Sequence, residues 1–405
     1  MNKLTLDDIK GLEERHIVQT YKRQPVAFVR GSGSRLYDVD GREYLDLVSG
    51  IGVTSLGHAH PGLAAAIGDQ ASTLLHTSNL YYHPLQGQVA ARLTKLSGLP
   101  RVFFANSGAE AVEGCLKFAR RYWYTQGLKT RTGFVAIQNG FGGRTMGALS
   151  VTWDEHYRAP FQPLLGPVTF VAAGDVAALE AAVTDRTAAV IAEPIQGEGG
   201  IRPLSREFAQ AISDVCRRTG TLYIADEVQT GLGRTGFPFY FPVLGLEPDL
   251  VSVGKALGSG VPVGAMLMSD RVARAISPGD HGTTYGGNLL ACRAALFFLE
   301  QLMDHGVLDH VNAVGPLFER RLRTLALKHP VITEVRGVGL MQGLQLDVDA
   351  TPIVDSARER GLLVNRTNEK VVRMLPPLTI EAADLDRAVD ILEEVFATVK
   401  TEVHA

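Results

Sequence analysis

Two stretches of the chain decide its fold, and they read TLYIADEV at residues 221–228 and LVSVGKAL at residues 250–257. Each opens with an apolar run of strand length that leads into a charged residue. Three similar runs stand earlier, and helical stretches such as 175–184 and 206–220 separate the runs: RVFFAN (101–106), TGFVAIQN (132–139) and AAVIAEPI (188–195). Strands that are apolar throughout and alternate with helices predict a mostly parallel sheet covered on both faces. The predicted fold class is α/β.

The regions on either side of this unit have a different pattern. Residues 26–48 alternate apolar and polar positions around GSGS and DVDG, which predicts a small antiparallel meander. Two helices, 288–306 and 314–329, are followed by strand–helix–strand segments. We therefore expect residues 1–58 to be an N-terminal segment and meander within a smaller domain, 59–290 to be a large α/β domain, and 291–405 to complete the smaller α+β domain.

The composition excludes several classes of protein. The 405 residues carry a formal net charge of −3, so no basic excess points to nucleic acid or an anionic membrane. Three separated cysteines predict neither a disulfide framework nor a zinc site, and we expect no metal. The charged start MNKLTLDDIKGLEERH has no apolar segment of a signal peptide, and no run is long enough to span a membrane. We expect a soluble, cytoplasmic protein.

An anion site is predicted at residues 106–110, Asn-Ser-Gly-Ala-Glu, where an apolar strand ends and a long helix begins. The first N–H groups of a helix are unpaired, and its dipole favours a phosphate there. The alternative is a plain helix start, with Ser107 as the N-cap and Glu110 closing a capping box. Both interpretations remain open on these residues alone.

Asp226 and Lys255 follow two of the buried strands directly. Active sites of open parallel sheets lie at the carboxyl ends of the strands, where Asp226 could hold a metal or a cationic ring nitrogen. A desolvated lysine has a lowered pKa and forms Schiff bases, although Lys255 could equally be an ion-paired structural residue.

Two further motifs are given structural interpretations. Residues 231–236 form a literal GxGxxG, but FPFYFPVLG follows instead of the helix that a dinucleotide site requires. The pair His58 and His60 is interpreted as turn and helix-start residues, without a metal.

Together, these pieces resemble one family. The strings NSGAEA, FGGRT, EPIQGEGG, DEVQTGLGRTG, GKALGSGVPVGA, HGTTYGGN and VRMLPPLT occur in the order seen in class III aminotransferases, enzymes of fold type I that use pyridoxal 5′-phosphate. The resemblance spans nearly the whole chain and is greatest to the acetylornithine group. It implies amino transfer from N2-acetylornithine to 2-oxoglutarate, with succinylornithine, ornithine, 4-aminobutyrate, carrier-linked aminoadipate semialdehyde or an aminomutase reaction as alternatives.

The resemblance also implies a role for each residue around the cofactor. Lys255 would form the Schiff base and transfer the proton, and Asp226 would hold the ring nitrogen. The other implied contacts are Phe141 and Val228 on the two ring faces, Gln229 at the phenolic oxygen, Ser107, Gly108 and Ala109 at the phosphate, and Thr284 reaching that phosphate from the other subunit of a homodimer.

The implied substrate contacts are Ile51, Arg144, Glu198, Thr283 and Arg373. Arg373 would bind the α-carboxylate of glutamate, and Glu198 would pair with Arg373 when the other substrate is bound. Arg144 would hold the far carboxylate of either substrate. Ile51 stands where ornithine aminotransferases tend to have a tyrosine. The chain departs from the family at Gly142, where relatives commonly have histidine.

Overall fold

The computed structural model describes residues 4–398, which form seventeen strands and fourteen α-helices. The strands are β1 (Phe28–Ser32), β2 (Arg35–Asp38), β3 (Glu43–Asp46), β4 (Arg101–Ala105), β5 (Gly133–Ile137), β6 (Val168–Val171), β7 (Thr187–Ala192), β8 (Ile195–Gln196), β9 (Arg202–Pro203), β10 (Leu222–Asp226), β11 (Leu250–Val253), β12 (Gly264–Met268), β13 (Ile332–Val338), β14 (Met341–Leu346), β15 (Leu362–Leu363), β16 (Asn365–Thr367) and β17 (Val371–Met374).

The α-helices are α1 (Leu6–His16), α2 (Ser49–Gly52), α3 (Pro61–Thr73), α4 (Gln86–Ser97), α5 (Gly108–Thr125), α6 (Met146–Ser150), α7 (Glu155–Arg158), α8 (Val176–Ala182), α9 (Arg206–Thr219), α10 (Asp270–Ala273), α11 (Leu289–Asp304), α12 (Val307–Lys328), α13 (Thr351–Glu359) and α14 (Ala382–Ala397). Three short 3-10 helices cover Ala159–Phe161, Phe241–Leu244 and Lys255–Gly258.

A seven-stranded sheet with the order β4-β12-β11-β10-β7-β5-β6 lies at the centre of the molecule. Strands β7, β10 and β11 are buried along their whole length, because helices cover both faces of the sheet. The pairs β10–β11, β10–β7, β5–β7 and β5–β6 are parallel. The predicted α/β class and the mostly parallel sheet are confirmed.

Two strands of this sheet, β6 and β12, were not predicted. Strand β12 runs antiparallel to both of its neighbours, β11 and β4. Gly264 begins it, and a Cβ there would lie 2.2 Å from the carbonyl oxygen of Ser107. The glycine therefore allows a close approach of two backbones instead of marking a turn.

One of the outer sheets combines strands from both ends of the chain. The predicted meander is present as β1, β2 and β3, and β15 from the C-terminal part adds to it in parallel beside β3. A second sheet has the order β13-β14-β17-β16. The boundaries of the predicted domains remain a prediction. Residues 1–3 of the first domain and 399–405 of the last lie outside the described part of the chain.

Two details of the flanking segments differ from expectation. Helix α12 begins at Val307 instead of 314, and Pro316 lies inside it. The segment 335–346, VRGVGLMQGLQL, was expected to form one strand, but it contains parts of two antiparallel strands, β13 and β14. Between residues 4 and 398, no helix is long and apolar enough to cross a membrane.

Candidate active site

Asp226 lies at the carboxyl end of β10, paired in register with Ser252 of β11. Its Oδ1 accepts hydrogen bonds from the Val228 N–H (3.1 Å) and the Ser252 hydroxyl (2.9 Å). Burial raises the pKa of Asp226, and these two bonds oppose the rise. Oδ2 receives no hydrogen bond from the described residues, so one buried carboxylate oxygen is available to a cationic partner.

Lys255 is the first residue of the short 3-10 helix that follows β11. Its backbone adopts φ 40°, an uncommon conformation for a residue with a side chain. Burial lowers the pKa of Lys255 to about 8, although the carboxylates of Glu198, Glu193 and Asp226 act in the opposite direction. A larger fraction of this amine is neutral near physiological pH than in an exposed lysine, and a neutral amine is nucleophilic.

The N-terminus of α5 meets both of these segments. A Cβ at Gly108 would lie 2.5 Å from Val228 Cγ1, and one at Gly254 would lie 3.0 Å from Gly108 Cα. Glycine at both positions lets the helix start fit between the segment after Asp226 and the segment before Lys255. The N–H groups of Gly108 and Ala109 have no acceptor among the described residues, so they are available to an anion.

Ser107 caps this helix, and its hydroxyl accepts the N–H of Glu110 at 3.1 Å. The expected capping box is not completed, because Glu110 Oε2 accepts instead from the backbone (2.7 Å) and side-chain (2.9 Å) nitrogens of Asn106. The carboxylate is drawn away from the first helical N–H groups, which favours the anion-site interpretation over the plain capping box.

Glu193 links two loops of the site and was missed in the sequence analysis. It follows β7, and its carboxylate accepts the N–H of Phe141 (2.9 Å) and of Gly197 (3.0 Å). Glu193 and Asp226 line the same cavity of about 20 Å³. Burial, followed by the charge of Asp226, raises the pKa of Glu193. A carboxylate immediately after a buried strand was the signal that could have found it.

The structure explains the departure from the family pattern at Gly142. A Cβ at this position would lie 2.7 Å from both the Ala148 carbonyl oxygen and Val151 Cγ2. The Gly142 N–H donates to the Thr152 hydroxyl at 3.0 Å, which fixes the loop in this tight arrangement. A histidine side chain therefore cannot enter without movement of the backbone.

Buried Arg373 forms an ion pair with the partly exposed side chain of Glu198, with 2.6 Å between Nη1 and Oε1. Arg373 is 1% exposed, and its guanidinium also donates to Gln229 Oε1 (3.3 Å) and Asn365 Oδ1 (3.2 Å). Burial acts to raise the pKa of Glu198, but the positive charges of Arg373 and Lys255 outweigh it, and the pKa is lowered. Glu198 is therefore an ionised partner that a substrate carboxylate would have to replace.

Arg144 and Ile51 present side chains to solvent. The guanidinium carbon of Arg144 lies 3.6 Å from the centroid of the Tyr157 ring and 5.8 Å from that of Phe141. Ile51 is 40% exposed and adopts φ 66°, a non-helical conformation inside the short element α2 (Ser49–Gly52), which packs against Lys255–Gly258. Left-handed backbone in a β-branched residue is strained, and such strain concentrates at functional sites.

Thr283 and Thr284 differ in their surroundings. The Thr283 hydroxyl accepts hydrogen bonds from Asn106 Nδ2 and the Gly286 N–H, both at 3.1 Å, so it is engaged within its own chain. Thr284 is exposed and makes no hydrogen bond to any residue from 4 to 398. The roles predicted for both residues remain predictions.

The two motifs interpreted as structural have the expected surroundings. Residues 231–236 form buried turns followed by the 3-10 helix Phe241–Leu244, and no helix suited to a dinucleotide follows them. His58 Nε2 lies 2.7 Å from Asp46 Oδ2, and His60 caps α3. His60 therefore begins a helix as expected, whereas His58 lies in an isolated β-bridge with Gly33.

Comparisons with known proteins agree with this geometry. The family model "Aminotransferase class-III" matches residues 17–396. The chain is 45% identical over 390 residues to acetylornithine aminotransferase of Methanocaldococcus jannaschii, covering 96% of this chain and 98% of that protein. Acetylornithine aminotransferase from Elizabethkingia anophelis superposes with a TM-score of 0.86 at 32% identity, covering 98% of this chain and 100% of that chain.

A second solved structure is ornithine aminotransferase from Toxoplasma gondii, crystallised with oxidised glutathione and partially occupied by pyridoxal phosphate. It superposes with a TM-score of 0.93 at 33% identity, covering 98% of this chain and 95% of that chain.

Proposed function

The chain belongs to the class III aminotransferase family, whose members depend on pyridoxal 5′-phosphate, and we propose that it transfers the terminal amino group of N2-acetylornithine to 2-oxoglutarate. The products are the acetylated semialdehyde and glutamate, in a step of arginine biosynthesis. The pair of buried Arg373 and partly exposed Glu198 carries this proposal, because it offers a removable counter-charge at a site that two different substrates must share. The cytoplasmic location remains a prediction.

The residues of the site fit the cofactor. The N–H groups of Gly108 and Ala109 would hold its phosphate, Asp226 Oδ2 its protonated ring nitrogen, and Phe141 and Val228 would flank the ring. The Lys255 amine would attach it. When bound, the cofactor supplies an aldehyde that carries the amino group between the two substrates and a ring that withdraws electrons from the reacting carbon.

Lys255 and Asp226 would perform the proton chemistry. The Lys255 Nζ would accept a proton from the reacting carbon of the substrate and would donate it again as the amino group is transferred. Its lowered pKa, to about 8, brings the amine closer to working pH, where proton transfer in both directions is efficient. Asp226 keeps a positive charge on the ring nitrogen, for which its unpaired oxygen is suited.

Arg373 and Glu198 would allow one pocket to accept both substrates. Glutamate brings its α-carboxylate to Arg373, and Glu198 then moves away. Acetylornithine enters with its terminal amine and brings no carboxylate to that position, so Glu198 remains paired with Arg373 and avoids an uncompensated buried charge. Gln229, which contacts Arg373 at 3.3 Å, links this pair to the segment that follows Asp226.

Arg144 and Ile51 would select the acylated substrate. Arg144 would hold the carboxylate far from the reacting amine in either substrate. Ile51, in its left-handed turn beside the Lys255 turn, offers an apolar surface. An acylated α-nitrogen is neutral and tolerates this surface, whereas the charged α-amine of free ornithine would lose solvation without gaining a partner.

An exposed apolar surface supports a homodimer with shared sites. Leu80 and Tyr81 are 85% and 69% exposed, and Asn79 of the same segment donates to the carbonyl oxygens of Thr283 (3.2 Å) and Gly286 (3.0 Å). Exposed Tyr285 extends this surface along the loop that carries Thr284. Contiguous apolar surface of this kind is typical of interfaces. A second subunit covering it would receive Thr284 at its phosphate site.

A substrate panel tests the proposal. Purified enzyme loaded with the cofactor is incubated with 2-oxoglutarate and acetylornithine, succinylornithine, ornithine or 4-aminobutyrate, and glutamate is measured. We expect acetylornithine to give the highest kcat/KM. Preference for 4-aminobutyrate or ornithine would assign a different function within the family, and isomerisation of one compound without 2-oxoglutarate would indicate an aminomutase.

A further inference from the structure

The guanidinium of Arg144 is stacked on an aromatic ring. Its Cζ lies 3.6 Å from the Tyr157 centroid, within the range of a strong cation–π contact. Between residues 4 and 398, Arg144 makes no hydrogen bond and no ion pair. Stacking occupies the flat face of the guanidinium, whereas its N–H groups lie in the plane and remain available for two parallel bonds to a carboxylate.

Tyr157 is held in place by its neighbours. It belongs to the four-residue helix α7, whose N-cap Asp154 accepts the His156 N–H at 2.9 Å. Just before it, the Trp153 N–H donates to the Gly140 carbonyl oxygen at 2.8 Å, which ties this segment to the loop carrying Phe141. Just after it, Arg158 donates to the Trp153 carbonyl oxygen at 3.1 Å.

The other side of this short helix is fixed to the central sheet. Phe170 of β6 packs against Trp153, with ring centroids 5.3 Å apart, and against the Arg158 guanidinium, 4.6 Å from the ring centroid. The Tyr157 ring therefore has a defined position relative to the cofactor-binding loop. Its hydroxyl makes no hydrogen bond to the described residues, so the aromatic face is the part in use.

We propose that Tyr157 is a positioning residue that holds Arg144 for the substrate carboxylate farthest from the reacting amine. The inference rests on the proposed function, since it assigns Arg144 to acetylornithine and glutamate. A mobile arginine side chain would lose conformational entropy each time a substrate binds, whereas a stacked arginine has already lost it. Removing the ring should therefore raise KM more than it lowers kcat, and only for substrates that carry the distant carboxylate.

The test compares substrates that differ only in that carboxylate. N-acetyl-1,4-diaminobutane is acetylornithine without its carboxylate, and 2-aminobutyrate is glutamate without its distal carboxylate. In Tyr157→Leu, we expect kcat/KM to fall about tenfold for acetylornithine and glutamate and to change less than about twofold for the two shortened compounds. Tyr157→Phe, which keeps the ring, should stay within about twofold of the wild-type enzyme for all four.

A matched control is Tyr124→Leu, which removes an exposed tyrosine that stacks on Lys129 at 4.9 Å. It should leave all four reactions unchanged. Equal losses with and without the carboxylate in Tyr157→Leu would overturn the proposal, as would a loss in Tyr157→Phe as large as in Tyr157→Leu. If the wild-type enzyme does not use acetylornithine, the proposed function fails, while the glutamate and 2-aminobutyrate pair, followed by the cofactor absorbance in single turnovers, still decides the role of Tyr157.

Discussion

Arg373 and Glu198 are joined at 2.6 Å in a pocket where Arg373 is almost completely buried. Removing one member of such a pair leaves a buried charge without compensation. The free-energy cost of that charge exceeds the stabilisation that the intact pair provides. In this site, a substrate carboxylate can take the place of Glu198. The ion pair therefore distinguishes a substrate that brings a carboxylate to Arg373 from one that does not.

Glu198→Gln should separate the two half-reactions. With acetylornithine, Arg373 loses the charge of Glu198, so we expect kcat/KM to fall about 10- to 100-fold. With glutamate, the substrate carboxylate supplies the charge, and the change should be less than about threefold. The absorbance of the cofactor in single turnovers measures each half-reaction separately. Glu334→Gln removes the partner of Arg336 at a surface position and serves as the control. Equal losses in both halves would contradict the exchange.

Lys255→Ala should abolish turnover, because the same amine attaches the cofactor and moves the proton. We expect a loss of at least about 10³-fold in kcat. In the wild-type enzyme, borohydride should fix the cofactor covalently, and peptide mass spectrometry should find it on Lys255. Finding the label on another lysine would show that the assignment is wrong.

The pKa of Lys255 predicts how the stability of the cofactor-free enzyme depends on pH. Burial lowers the pKa to about 8, below the value of about 10.5 expected in the unfolded chain. Between these values the unfolded state binds more protons, so stability increases as pH rises from 8 to 10.5. Compared with Lys255→Met, the wild-type free energy of unfolding should gain up to roughly 3 kcal/mol over this interval. Denaturant titrations at both pH values measure the gain, and identical changes in the two proteins would contradict it.

Thr284→Val tests the shared site. The variant should retain the cofactor weakly, because the hydroxyl proposed for the partner's phosphate is lost. Mixing it with Lys255→Ala should form heterodimers in which one site carries both lesions and the other carries neither. At equal amounts, about a quarter of all sites should then be intact. No recovered activity at any ratio, with subunit exchange demonstrated by mass, would count against a site built from two chains.

The residues that follow buried strands were the part of the site most accessible from sequence. Asp226 and Lys255 stand after apolar runs, and parallel strands bring such ends to one edge of a sheet. The same reasoning would have found Glu193 after β7. Tyr157 could not be found in this way, because its importance depends on a contact with Arg144, which is placed by a different loop.

The limits of the fold prediction have a similar origin. Strand β12 was missed because Gly264 looks like a turn residue, although it is required by the closeness of Ser107. The left-handed backbone of Ile51 was also not predictable, since β-branched residues avoid that conformation and only the surrounding packing imposes it. Both features arise from contacts between segments that are distant in sequence.

Substrate preference tests the central claim most directly. Ile51 gives the charged α-amine of ornithine no partner, so kcat/KM for acetylornithine should exceed that for ornithine by at least about tenfold. Ile51→Tyr should narrow this ratio by improving turnover of ornithine. The measurement is the ratio of the two kcat/KM values with saturating 2-oxoglutarate. A ratio of ten or more would support an acetylornithine aminotransferase, whereas equal values or a preference for ornithine would contradict it.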